Sequence, residues 1–236
     1  MRIWGYWATL GWALLSFSVG QIAGLAAYIW WRPGSFSVMM ATPFDGAFIT
    51  FILLIANPLT IAVIVLAVRL ARADIVDYLA LRLPGGRDLA IGLVTLVVLI
   101  VLGDALLYFG GEALVTPFQL QSYKSAEAEG WLIAMLVATV IFAPAGEEIV
   151  FRGFLFRGWA RSPRTTWPAV VVISLLWAGL HVQYDWAGIL QIFIVGLYLG
   201  WLRWRSASTL LTFLLHALFN AEGTIETFVQ LHFFPH

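Results

Sequence analysis

Leu89–Phe109 carries a single charged side chain, Asp104, and several other stretches of the chain are nearly as apolar. A backbone immersed in hydrocarbon must satisfy its own N–H and C=O groups, so such stretches can only be helices or the strands of a closed barrel. Continuous runs of about 20 apolar residues suit the helix, which rises ~1.5 Å per residue across a core of ~30 Å. The fold class expected is all-α: a polytopic membrane helical bundle of about seven or eight transmembrane helices. Composition agrees. Hydrophobic residues make up 61% of the 236 and charged residues 11%, with a mean hydropathy of +0.90. A soluble domain carries about 25% charged residues. The net charge of zero gives no reason to expect nucleic acid. The absence of cysteine excludes disulfides, thiolate zinc sites and a cysteine nucleophile.

The spans read in order as Tyr6–Trp31, Gly46–Leu70 with a kink at Asn57-Pro58, and Leu89–Phe109. Then come Trp131–Trp159, a fifth span from Trp167-Pro168 to His181–Gln183, Ala187–Trp204 and Ser208–Asn220. A short apolar stretch, Thr224–Phe234, follows. The first run is too long for a signal peptide, so one integral membrane domain over residues 1–236 is expected. Arg69–Asp88 mixes charges with apolar residues and reads as an amphipathic segment on the membrane surface, stopped by Pro84-Gly85-Gly86. Its arginines, with Arg157, Arg161, Arg164, Arg203 and Arg205, mark cytoplasmic loops, and the intervening Gly110–Gly130 loop has none. The N-terminus is then cytoplasmic too.

Within the fourth span stands Ala143-Pro144-Ala145-Gly146-Glu147-Glu148-Ile149-Val150-Phe151-Arg152-Gly153. Ionisable groups at membrane depth are costly and point to function. Glu148 and Arg152, four apart, can pair on one helix face. Glu147, rotated by ~100°, is left available for chemistry. Counting ~1.5 Å per residue from the cytoplasmic loops, Glu147 lies roughly 15 Å deep, His181 roughly 21 Å and His216 roughly 16 Å. Asn220 is one turn beyond His216. A desolvated carboxylate can act as general base toward water, and an imidazole can relay the proton. An amide and a second imidazole can donate to an oxyanion. Imidazole and carboxylate are also ordinary zinc ligands, so a divalent metal held by Glu147, His181 and His216 stands as an alternative. No H-E-x-x-H occurs. Bland readings exist as well: a structural ion pair, histidines as interhelical hydrogen bonders, and His232, His236, Glu222 and Glu226 as solvated groups.

The same residues resemble the motifs of the CPBP intramembrane proteases, which include the type II CAAX prenyl endopeptidases and bacteriocin-processing proteins. Glu147-Glu148-x-x-x-Arg152 is similar to the first motif and Trp177-x-x-x-His181 to the second, with tryptophan where the family usually has phenylalanine. Phe193-x-x-Gly196-x-x-x-Gly200 and His216-x-x-x-Asn220 resemble the third and fourth. The resemblance covers about 131–220, the expected protease core. It implies that Glu147 and His181 activate water, that His216 and Asn220 stabilise the oxyanion, and that Glu148 assists. Arg152, Trp177, Phe193, Gly196 and Gly200 would shape the site. It leaves metal dependence open.

The function expected is therefore an intramembrane endopeptidase cleaving a peptide or membrane protein, lipidated or not, near the cytoplasmic face of a prokaryotic cell membrane. A non-catalytic scaffold on the same fold and a small proton-coupled transporter using Glu147 are the competing readings.

Overall fold

The computed structural model describes residues 3–34 and 45–234. The loop expected before Asp45 falls mainly on 35–44, and that segment and His236 lie outside the described residues. The elements are α1 (Tyr6–Trp31), α2 (Gly46–Leu70), α3 (Ile75–Leu79), α4 (Gly86–Gly110), α5 (Pro117–Ala128), α6 (Leu132–Trp159), α7 (Pro163–Ala178), α8 (Trp186–Ser206) and α9 (Thr209–Phe233). Five of them, α1, α2, α4, α6 and α8, are long and apolar enough to cross a membrane. The expectation of seven or eight spans exceeds this number. α7 has only 16 residues, and α9 carries His216, Asn220, Glu222 and Glu226.

Local chemistry sets the helix starts. The Asp45 carboxylate accepts from Phe48 N–H at 3.0 Å, Asp185 from Gly188 N–H at 2.8 Å, and Ser208 Oγ from Leu211 N–H at 3.0 Å. Each satisfies an N–H that the first helical turn leaves unpaired. Thr116 and Gln119 form a capping box with Pro117 in the first turn of α5. That helix occupies the loop expected between Gly110 and Gly130. α2 continues unbroken through Pro58, where Asn57 Nδ2 donates to Leu53 O at 3.0 Å.

Within Arg69–Asp88, α3 is only five residues long; Tyr78 and Leu79 are fully buried, while Arg72, Asp74, Asp77, Arg82 and Arg87 are exposed. Tyr78 stacks on Phe154 at 5.7 Å, which anchors the apolar side of the segment in the core. α7 starts at Pro163 rather than at Trp167-Pro168, and ends at Ala178, so His181 sits in the turn beyond it. Thr224–Phe234, expected to be part of a continuous or a re-entrant segment, is the continuous one: it forms a single helix, α9, with the preceding span, because nothing between Asn220 and Thr224 breaks it.

Small residues let the helices close. A Cβ on Gly20 of α1 would lie 2.6 Å from Ala56 O of α2. A Cβ on Gly196 of α8 would lie 2.9 Å from Ser174 Cβ of α7, and one on Gly200 would lie 2.8 Å from Val170 Cγ1. The core gathers Phe154, Trp177, Leu199, Leu202, Leu211 and Leu215. Val94, Val97, Val101 and Leu106 of α4 stay exposed, as suits a surface solvated by lipid.

The bundle has two distinct ends. At one, Trp159 Nε1 donates to Tyr6 O at 3.1 Å, Arg205 pairs with Asp88 at 3.0 Å, and Thr209 Oγ1 donates to Leu79 O at 2.6 Å. At the other, Arg32 pairs with Glu129 at 3.1 Å, and Tyr123 OH donates to Thr224 Oγ1 at 2.7 Å. There Phe118 packs edge-on to Tyr184 at 5.6 Å.

Candidate active site

α6 is not a uniform helix. Its α-helical stretch Ala143–Glu148, which bears both glutamates, lies between π-helical turns at Ala138–Phe142 and Ile149–Leu155. Pro144 has no N–H and its ring crowds the carbonyl four residues back, which disfavours an ordinary turn just before it. In the first π-turn, Ala143 N–H bonds to Ala138 O, five residues back. The Thr139 carbonyl is thereby released, and Asn220 Nδ2 of α9 donates to it at 2.9 Å. The second π-turn repeats the device. Phe156 N–H reaches Phe151 O, and Arg203 Nε of α8 donates to Arg152 O at 2.9 Å.

Glu148 and Arg152 pair at 2.8 Å and are 0% and 1% exposed. The same Glu148 oxygen lies 2.9 Å from His216 Nδ1. Arg152 also donates to Gly196 O at 3.2 Å, and its guanidinium lies over the Trp177 ring, 4.5 Å from the centroid. One buried ion pair thus joins α6, α7, α8 and α9.

Glu147 points elsewhere. Its Oε2 accepts from the Trp177 indole N–H at 2.5 Å and lies 4.0 Å from His216 Nε2. The indole stands edge-on to both imidazoles, with centroids 5.3 Å from His181 and 5.1 Å from His216. His181 Nδ1 is 2.9 Å from Trp177 O. Both Nδ1 atoms face an acceptor, a carbonyl for His181 and a carboxylate for His216, so each carries its proton there. Each Nε2 is then an acceptor when the ring is neutral, and a donor to an oxyanion only as imidazolium. His216, expected at the oxyanion, is the imidazole that approaches the free carboxylate. No comparable contact joins His181 to Glu147.

Glu147, Trp177, His181, His216 and Asn220 line one cavity of about 290 Å³. Glu148 and Arg152 are behind its wall, Phe193 packs at the edge of the core, and Gly196 and Gly200 hold α8 close to α7. The rest of the wall was not anticipated. Thr116 comes from the N-cap of α5, Gln119 and Tyr123 from α5 itself, Asp104 from α4, Tyr184 from the turn after α7, and Glu222 and Glu226 from α9. Burial pushes the Tyr184 phenol up to about 12, so it is a neutral donor. Gly146 lies so close to Asn57 of α2 that a Cβ there would collide with its amide. Only the helical register of α9, which sets Glu222 and Glu226 one turn apart, hinted that these two share a face.

The α5 and Tyr184 walls belong to the arginine-free loops, opposite the arginine-bearing ends of α6 and α8.

As a metal site, the expected donors match in kind but not in position. Each imidazole has its Nδ1 tied to an outer acceptor, as metal-binding histidines do. Yet among the described residues the donor atoms of Glu147, His181 and His216 do not all come within 4.8 Å of one another. The carboxylates of Asp104, Glu222 and Glu226 do, on a different part of the wall.

A polar cavity lined by the Glu147 carboxylate and two imidazoles, and backed by a buried ion pair, stands inside an apolar helical bundle. Residues 129–221 match the family described as type II CAAX prenyl endopeptidase Rce1-like. That segment holds all four motifs and supports enzymatic activity. A curated protein of Escherichia coli, described as an uncharacterized 24.3 kDa protein, is 36% identical over 87 residues, which are 36% of this chain and 40% of that protein. The match thus spans well under half the length of this relative. No solved structure matches the chain.

Proposed function

We propose that this chain is an intramembrane peptidase that hydrolyses a peptide bond with Glu147 as general base. The observation that carries the reading is the 4.0 Å approach of Glu147 Oε2 to His216 Nε2 on the wall of one cavity within the helical bundle. A water about 2.8 Å from each atom would fit between them. Glu147 takes a proton from that water as its oxygen attacks the carbonyl carbon. The proton then passes to the leaving nitrogen as the C–N bond breaks, giving a carboxyl group and an amine. One N–H of the Asn220 amide is committed to Thr139 O; the second is a neutral donor for the oxyanion. Glu148 holds His216 through Nδ1 and, with Arg152, keeps its own charge away from the base. His181, fixed against the Trp177 carbonyl, completes the polar wall on which the substrate backbone rests. The first step goes through the carboxylate, with no step through a metal ion.

The test is cleavage of a mixed peptide library by purified protein in detergent, wild type beside Glu147→Gln, each with and without chelator. Cleavage by the wild type alone, unchanged by chelator, is expected. Equal cleavage by both proteins would remove Glu147 from the mechanism, and loss with chelator restored by zinc would replace the carboxylate base with a metal centre. A prenylated tail, a peptide precursor and a membrane-protein segment are all substrates that this chemistry accommodates.

A further inference from the structure

The two ends of the bundle differ in charge. One end carries Arg69 and Arg72 before α4 and Arg87 in its first turn, Arg161 and Arg164 after α6, and Arg205 at the end of α8. The other carries Glu112, Glu127, Glu129 and Asp185, with Lys124 and Arg32 as its cations, the latter paired to Glu129 at 3.1 Å. Short loops rich in arginine stay in the cytoplasm, so the arginine end is cytoplasmic.

The cavity leads from Glu147 to the acidic end. Leu114, Thr116, Gln119, Gln183 and Asp185, all from the loops or the helix at that end, line it, and Leu114 is 40% exposed. Among the described residues, no lysine or arginine lines the cavity, and no residue of the arginine-bearing loops does. Toward the cytoplasmic end, the site is sealed by the Glu148–Arg152 pair and by fully buried Phe154, Leu199, Leu202 and Leu211. Arg203 adds to the seal by bonding Arg152 O at 2.9 Å.

We infer that the active-site cavity opens to the extracytoplasmic side, and that its substrate is a translocated or membrane-spanning polypeptide reached from there. A prenylated C-terminal tail on a cytosolic protein lies in the opposite leaflet and has no path to Glu147. The direction of opening stands on geometry and charge alone; the nature of the substrate rests on the peptidase reading.

The chain has no cysteine, so single-cysteine labelling needs no background removed. Leu114 is at the cavity mouth, Gln183 is half-buried within it, and Leu83, 86% exposed, is at the arginine end. Leu114→Cys, Gln183→Cys and Leu83→Cys leave charge unchanged and avoid the proposed catalytic groups. In bacterial spheroplasts, a membrane-impermeant thiol reagent is expected to label Leu114→Cys quickly and Gln183→Cys more slowly, and Leu83→Cys only after permeabilisation. Labelling of Leu114→Cys or Gln183→Cys that requires permeabilisation overturns the inference. The second arm supplies a mixture of polar, quenched fluorescent peptides to spheroplasts and to inverted vesicles. Cleavage that needs Glu147 is expected in spheroplasts; cleavage confined to inverted vesicles overturns the inference. Labelling requires no turnover, so an inactive protein would refute the peptidase reading and leave the direction of opening intact.

Discussion

Replacing Arg152 with methionine leaves the Glu148 carboxylate buried beside one imidazole and no guanidinium. The residue is 1% exposed and makes three contacts that methionine cannot: Glu148 at 2.8 Å, Gly196 O at 3.2 Å and the Trp177 ring at 4.5 Å. Breaking one side of a buried pair typically costs about 3–5 kcal/mol, because the remaining charge is uncompensated. His216 can take up a proton and offset part of this, so about 3 kcal/mol is the expected loss. At roughly 2–4 °C per kcal/mol for a chain of this size, the melting temperature should fall by roughly 6–12 °C. Thermal unfolding in detergent, followed by tryptophan fluorescence, reads this directly. Adding Glu148→Gln removes the stranded charge while keeping an oxygen for His216 Nδ1, so the double variant should recover most of the loss. If Arg152→Met melts like the wild type, or if the double variant is no more stable than Arg152→Met, the pair is not what holds the site together.

Other perturbations test neighbouring contacts. Gly196→Ala places a methyl 2.9 Å from Ser174 Cβ and 3.2 Å from Trp177 Cε3, so it should destabilise by about 1–3 kcal/mol and lower any cleavage with it; unfolding curves and the peptide assay check both. Trp177→Phe keeps an aromatic ring but removes the N–H from Glu147, a bond to a charged group worth about 1.5–3 kcal/mol; turnover and the melting temperature should both fall, and unchanged turnover would make the indole N–H irrelevant. Glu226→Gln relieves a cluster whose carboxylate oxygens lie within 4.8 Å of one another, so the protein should gain about 1 kcal/mol; a loss of stability would mean that the cluster holds a cation.

The spans and the chemistry of the site were legible in the sequence for different reasons. Tyr6–Trp31 and Gly46–Leu70 are predominantly apolar and bounded by aromatic, acidic or basic residues, so their limits could be read almost to the residue. The Glu148–Arg152 pair followed from spacing alone. What could not be read depends on tertiary contact. His181 lies outside α7 because the helix ends at Ala178, whereas the apolar run continues past it. α5 is polar enough to read as a loop, and it closes the cavity only because Tyr123 and Ala126 pack under Met135 of α6. Asp104, Glu222 and Glu226 come from α4 and α9, and no local pattern records that these two helices meet over a cavity.

The π-turns of α6 were equally hidden, although Pro144 gives one of them a cause, and their consequence is specific. Each widened turn shifts one N–H to the carbonyl five residues back and frees the carbonyl that an α-helix would have used. A freed carbonyl in a membrane interior must find a donor, and Asn220 and Arg203 supply one each. Asn220 therefore anchors α9 to α6 whatever else it does in the cavity. Asn220→Ala should cost about 1–3 kcal/mol, the price of one carbonyl left unsatisfied, even in a protein already inactivated by Glu147→Gln. Arg203→Met should cost at least as much, since that side chain is 6% exposed and bonds Arg152 O. If Asn220→Ala abolishes cleavage and leaves the melting temperature unchanged, the amide works only on the substrate, and the bond to Thr139 contributes nothing to holding α6 in its widened form.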